Sequence, residues 1–109
     1  MTPYLHPTQW QTPKWHPDQG DPVVELEHLR SFALKLLCLV PTASAILEIP
    51  EPGLMNLRIE LVNGLVAEVY SVPSLDKSGH RRLAVFFLSE NGAEVYADTI
   101  DDAVALFMR

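Results

Sequence analysis

The sequence predicts an α+β domain: a long N-terminal helix packed on a five-stranded antiparallel β-meander, closed by a short C-terminal helix and preceded by an extended Pro/Trp-rich arm. Three observations carry this reading. Two Asn-Gly pairs, Asn63-Gly64 and Asn91-Gly92, each sit between apolar runs, the strongest short-range hairpin signal. Asp21-Pro22 opens a stretch that is amphipathic in its first half, mostly apolar in its second, and ended by Pro41, as a capped helix is. A length of 109 residues, with 48% hydrophobic content, suits one domain with one modest core.

Residues 1–20 form the arm and 21–109 the domain. The arm holds four of the nine prolines, both tryptophans and two of the four histidines. It contains a short tandem echo: Thr2-Pro3-Tyr4-Leu5-His6-Pro7-Thr8-Gln9 returns as Thr12-Pro13-Lys14-Trp15-His16-Pro17-Asp18-Gln19. Each X-Pro step favours extended backbone, so the arm is expected to carry no regular secondary structure. Trp10 and Trp15 have large apolar areas to bury. The arm is therefore expected to dock, on its own domain or on a second copy.

The helix is predicted over Pro22 to Leu39. Its second half, from Phe32 to Val40, carries Lys35 as its sole charge, so cover is expected on more than one side. Cys38 lies in the run Leu36-Leu37-Cys38-Leu39-Val40 and reads as a small buried hydrophobe; as a single cysteine it has no internal disulfide partner.

Five strands follow, at about Ser44–Ile49, Leu54–Leu61, Leu65–Val72, Arg82–Ser89 and Ala93–Asp98. Pro50-Glu51-Pro52-Gly53 forms the first turn, and short connections make neighbours pair in sequence order. Register in the first hairpin follows from its faces. A two-residue loop sets Leu61 against Val66 and Ile59 against Glu68, so one face mixes apolar and charged groups. A three-residue loop, Val62-Asn63-Gly64, gathers Leu57, Ile59, Leu61, Leu65, Ala67 and Val69 on one face, with Arg58 opposite Glu68 on the other. The same loop geometry is predicted for the second hairpin, placing Leu83, Val85, Phe87, Ala93, Val95 and Ala97 together. Strand four is apolar on both sides, so Phe86, Leu88 and Tyr96 need cover from the arm, the last helix or another subunit.

The final helix is predicted from Ile100 to Met108, capped by Asp98 or Thr99, with Ala103, Leu106 and Phe107 turned inward. The segment Ala97-Asp98-Thr99-Ile100-Asp101-Asp102-Ala103 resembles the end of small antitoxin-type domains, where a strand leads into a Thr-capped acidic helix. That resemblance is confined to this segment and implies no function.

The net charge of −6 lies in the domain, because Lys14 and Asp18 cancel within the arm. This argues against nucleic acid and against an anionic membrane surface as partners. The first residues show no basic n-region and no apolar h-region, and the apolar runs are far shorter than the ~20 residues that span a bilayer, so a cytoplasmic setting is expected. His6, His16 and His28 do not have the spacing of a metal site and there is no CxxC, so neither metal nor cofactor is expected. Cys38 and His28 lie about 15 Å apart along one helix and form no dyad. The reading therefore leans away from an enzyme. The concentrated positive charge, Lys77, His80, Arg81 and Arg82, is the place for an anionic ligand if one binds. The favoured expectation is an interaction module, a homodimer or the partner of another protein, meeting its mate through Trp10, Trp15, Phe86, Leu88 and Tyr96. The alternative is a small-molecule site between the long helix and the sheet.

Overall fold

The computed structural model describes residues 5–74, 76 and 79–108. One long helix, α1 (Pro22–Leu39), packs on a sheet of five antiparallel strands, β1 (Ser44–Glu51), β2 (Leu54–Glu60), β3 (Val66–Pro73), β4 (Arg81–Phe87) and β5 (Ala93–Ala97), and a short helix α2 (Ile100–Ala105) ends the chain. The strands lie in sequence order, β1-β2-β3-β4-β5. The predicted α+β class and meander are both present.

Asp21 starts α1 as predicted: its carboxylate accepts from the backbone N–H of Val23 and Val24 at 3.0 and 3.3 Å, and Pro22 fills the first helical position. Leu26, Leu29, Phe32, Ala33 and Leu36 are fully buried against the sheet. These positions recur every three or four residues, so one stripe of the helix faces the core. The outer side of the last turn is bare, with Cys38 exposed and Leu39 at 52% exposure. The expectation of a buried Cys38 is thus corrected. An apolar run buries only the residues that its helical phase points at the sheet, and position 38 falls on the far side of Leu36.

The first hairpin has the predicted register. Ile59 pairs with Ala67 and Glu60 with Val66, Leu61 N donates to Leu65 O at 2.9 Å, and Arg58 lies opposite Glu68. The loop is Val62-Asn63-Gly64, with Gly64 at φ +95°. A Cβ at Gly64 would meet nothing within 4 Å, so Gly64→Ala should lose about 1 kcal/mol through left-handed strain alone. Chemical denaturation measures this, and an unchanged midpoint would mean that the turn relaxes freely.

The second hairpin departs from the three-residue loop. Phe87 pairs with Ala93, leaving Leu88 to Gly92 as the connection. Leu88–Glu90 winds one 3-10 turn, and Asn91 and Gly92 both take positive φ, 61° and 72°. Pairing has moved by two residues, not one, so each side chain keeps its predicted face.

The arm is also corrected. Each copy of its repeat folds a single 3-10 turn, Pro7–Gln9 and Pro17–Gln19. In each, the ring nitrogen of the preceding histidine accepts from the backbone of the second turn residue, and the glutamine side chain accepts from the histidine N–H. Proline's fixed φ suits the first position of such a turn as well as an extended chain, and the His and Gln side chains decide between them. The stretch Thr2-Pro3-Tyr4 lies outside the described residues.

The arm docks on its own domain. Trp10 is 6% exposed within the core, Pro7 is buried, and Trp15 packs at the core's edge. Arg30 of α1 fastens it, donating from Nε to Pro7 O at 2.8 Å and from Nη2 to Trp10 O at 2.5 Å. Farther along, Gln19 lies so close to the β1–β2 turn that a Cβ at Gly53 would approach it to 3.3 Å.

α2 begins at Thr99, whose hydroxyl accepts from Asp102 N at 3.0 Å. It is shorter than predicted: from Leu106 onward the backbone bonds tighten to the third residue back, and Phe107 drops into the core at 4% exposure.

Candidate functional site

Two concave surfaces lie on opposite sides of the sheet. The first is an open cleft of about 720 Å³ between α1, the segment before β4 and the start of α2; Val24, His28, Lys35, His80, Arg81 and Asp98 are among its lining residues. The alternative reading placed a pocket between the long helix and the sheet; this cleft is bounded instead by α1, the approach to β4 and α2, and it holds two of the four predicted anion ligands, His80 and Arg81. Arg82 is turned to the other face, because successive strand residues alternate. Lys77 lies outside the described residues.

The organising residue of the cleft is Ser71, which sequence reasoning missed. It continues along β3 the inward series that starts with Leu65, Ala67 and Val69, and it is 5% exposed. A buried hydroxyl needs partners. Arg81 donates from Nε to Ser71 Oγ at 2.8 Å and from Nη2 to Ser71 O at 3.1 Å, and His28 Nδ1 lies 2.7 Å from the same Oγ. Arg81 donates to one lone pair of Ser71 Oγ, and the His28 ring shares the hydroxyl on its other side. Glu25 stands 3.6 Å from Arg81 Nη2. The inward parity of position 71, opposite Leu83, was the available signal.

A serine and a histidine at this distance have nucleophile-and-base geometry. Here the serine oxygen is buried and accepts from Arg81, so the arrangement holds the guanidinium in place. The other basic side chains of the cleft are engaged too: Lys35 pairs with Asp101, and His80 Nε2 lies 2.8 Å from the carbonyl of Asp98. His6 and His16 remain in their own 3-10 turns, so the three arm and helix histidines are not brought together. Among the described residues no three His, Cys, Asp or Glu side chains gather as a metal set, and no helix is long and apolar enough to cross a membrane.

Burial depresses the pKa of His28 below the ordinary 6.5, with the charges of Arg81 and His80 adding to the effect. The unfolded chain then takes up this proton first. Stability linked to His28 is complete above about pH 6.5 and falls as pH drops from there through the folded value. Glu25 runs the opposite way: burial raises it above 4.5 despite Arg81, so its contribution is complete below that value and falls as pH rises through the folded one. Denaturant midpoints measured across this range should decline below pH 6.5 in the parent and flatten in His28→Asn; parallel curves would place the titration elsewhere.

The second surface is a groove of about 480 Å³ on the open face of the sheet, across β3, β4 and β5, lined by Glu68, Tyr70, Ala84, Phe86, Leu88 and Tyr96 among others. Tyr70 and Phe86 meet edge to face, with centroids 5.6 Å apart. Arg82 lies 4.9 Å above the ring of Tyr96, with its Nε 2.7 Å from Asp98. Three of the five residues predicted for an interface, Phe86, Leu88 and Tyr96, fall in this groove, the last two at 41% and 49% exposure. Trp10 and Trp15 lie with the arm on the α1 side, where Trp10 has almost no surface left to offer a second chain.

Beside the groove stands Asn56, also missed by sequence reasoning. It is fully buried on the outward face, and its Nδ2 donates to Glu48 at 2.9 Å and to Glu68 at 3.4 Å. The amide cannot be turned over without aiming its oxygen at both carboxylates, so the chemistry fixes its orientation. Among the described residues its Oδ1 has no hydrogen-bond partner.

Comparisons with protein-family models, with curated proteins and with solved structures found no match.

Proposed function

We propose that the chain is a small non-enzymatic interaction module that works through the open face of its sheet. One observation supports this above the others. The three elements that could have covered β4 and β5 on both sides do not do so: the arm is fastened to α1, and α1 and α2 both pack on the inward face. Phe86, Leu88 and Tyr96 remain as an aromatic and aliphatic strip on a sheet that elsewhere carries charge. An apolar strip with a polar rim is the usual form of a protein contact surface.

This reading takes two forms, self-association with β4 and β5 of two copies face to face and the arm retained in each, and capture of a different protein. Light scattering at micromolar concentration tests it. The double variant Leu88→Ser, Tyr96→Ser should then return a monomer with its unfolding temperature nearly unchanged, since both side chains are exposed. A parent protein that is already monomeric removes the dimer and leaves a different protein as the partner. The single exposed thiol of Cys38 suits a reducing compartment such as the cytoplasm.

The cleft supports a second reading, a binder of small anions, because His28, Lys35, His80 and Arg81 converge on it. An anion there must compete with the partners these groups already have. Thermal shift with phosphate and citrate decides; no response from either removes the reading.

A further inference from the structure

We propose that the open-face groove takes a basic, extended segment of a partner protein, with a lysine or arginine stem laid over Phe86 between Tyr70 and Tyr96 and its charge met by Glu68 and Glu94. The inference rests on the interaction reading above and gives its occupant a chemistry.

The charge of this face carries the argument. Strand alternation puts Glu48, Glu60, Glu68 and Glu94 on it, against Arg58 and Arg82. Both guanidiniums face acids of their own chain: Arg58 Nε lies 3.2 Å from Glu60, although its cross-strand neighbour is Glu68, and Arg82 Nε lies 2.7 Å from Asp98, an ion pair without hydrogen-bond geometry. Among the described residues, Glu48, Glu68 and Glu94 have no basic side chain of their own chain within ion-pair distance.

These acids are held, not merely exposed. The Asn56 amide keeps Glu48 and Glu68 side by side, which costs repulsion between like charges unless a cation joins them. Burial, then the charges of Glu68 and Glu48, raise the pKa of Tyr70, and Glu94 raises that of Tyr96, so these carboxylates act directly on the two rings. The groove thus offers ring faces and carboxylate oxygens, with an unpartnered acceptor at Asn56 Oδ1 beside it. Its complement has N–H donors, positive charge and an apolar stem, which is what Lys and Arg provide. Arg82 already makes this kind of contact in cis, 4.9 Å above Tyr96. Three strands span about 10 Å, room for one such stem crossing them. A second copy would instead bring these acids against their own equivalents, and an acidic partner would be repelled.

The test uses the full chain, isotopically labelled, titrated with short synthetic peptides in which Val alternates with Lys, with Gln or with Glu. The Lys peptide should shift the amide signals of β3, β4 and β5 and bind about tenfold more tightly than the Gln peptide, the scale of one charge-assisted contact, with affinity falling as salt rises. Glu68→Gln and the fully surface-directed Glu94→Lys should each erase most of that preference while leaving the spectrum of the inward face unchanged. Equal binding of Lys and Gln peptides on these strands would overturn the basic occupant but keep the interaction surface. No shift with any peptide, together with a monomer in light scattering, would remove both.

Discussion

Trp10→Ala is expected to destabilise the domain by about 3–5 kcal/mol, the range for deleting a large buried aromatic ring. The whole stability of a small domain is roughly 5–15 kcal/mol, so this one arm residue decides whether much of the protein is folded at elevated temperature. Trp10 is 6% exposed and belongs to the same cluster as Leu26, Leu29 and Phe32 of α1. It is carried there by a segment with few backbone bonds of its own, beyond one 3-10 turn and the two carbonyls that accept from Arg30. Without the indole the arm loses its anchor, and Arg30 loses the carbonyls that order it. Trp15→Ala should cost distinctly less, because Trp15 is only half-buried. Docking in cis also predicts an unfolding midpoint independent of protein concentration, whereas an arm exchanged between chains would raise it with concentration. Urea denaturation at two concentrations reads both; a loss below about 1 kcal/mol would make the arm an adherent strap with no structural role.

What was legible in the sequence follows from period. The three-residue loop of the first hairpin came from sorting Leu57, Ile59, Leu61, Leu65, Ala67 and Val69 onto one face, since a single-residue slip would have exposed them all. The second hairpin escaped the same logic because a two-residue shift preserves the faces; parity cannot separate Glu90-Asn91-Gly92 from the observed five-residue connection. Parity was also available, and unused, at the site. It places Ser71 inward, and it sends Arg81 to the cleft and Arg82 to Tyr96 on the other side. A run of adjacent basic residues on a strand is therefore two half-clusters. The long helix taught the converse lesson. Composition suggested that its apolar end was covered on more than one side, but Cys38 and Leu39 are exposed because the sheet takes only one stripe. The arm's docking in cis was not legible at all. It depends on Arg30, one guanidinium among the helix's charges, meeting two carbonyls 20 or more residues upstream. Nothing in local pattern encodes such a meeting.

Phe107→Ala should be comparably severe, about 3–5 kcal/mol, and should act in a distinct way. Phe107 is 4% exposed and touches aromatic rings from both layers: Phe32 of α1 at 5.8 Å between centroids and Phe87 of β4 at 5.6 Å. It is the residue through which the end of the chain joins helix to sheet. α2 spans six residues, far below the ~12–15 at which an isolated helix becomes marginal in water. Its Thr99 cap contributes about 1 kcal/mol, and the exposed Lys35–Asp101 pair adds less. Neither can hold α2 alone, so its formation rests on Phe107 together with Ala103 and Val104. Removing the ring should melt α2 locally before the rest unfolds, exposing those two residues and opening the cleft wall at Ile100 and Asp101. Hydrogen exchange should then show protection lost over residues 103–108 while the β3 and β4 amides keep theirs. Phe107→Leu, which retains most of the apolar contact, should keep α2 folded at a cost of about 1 kcal/mol. If the alanine variant keeps α2 protected, the short helix is held by its cap and by Val104, and the aromatic trio is packing without consequence for it.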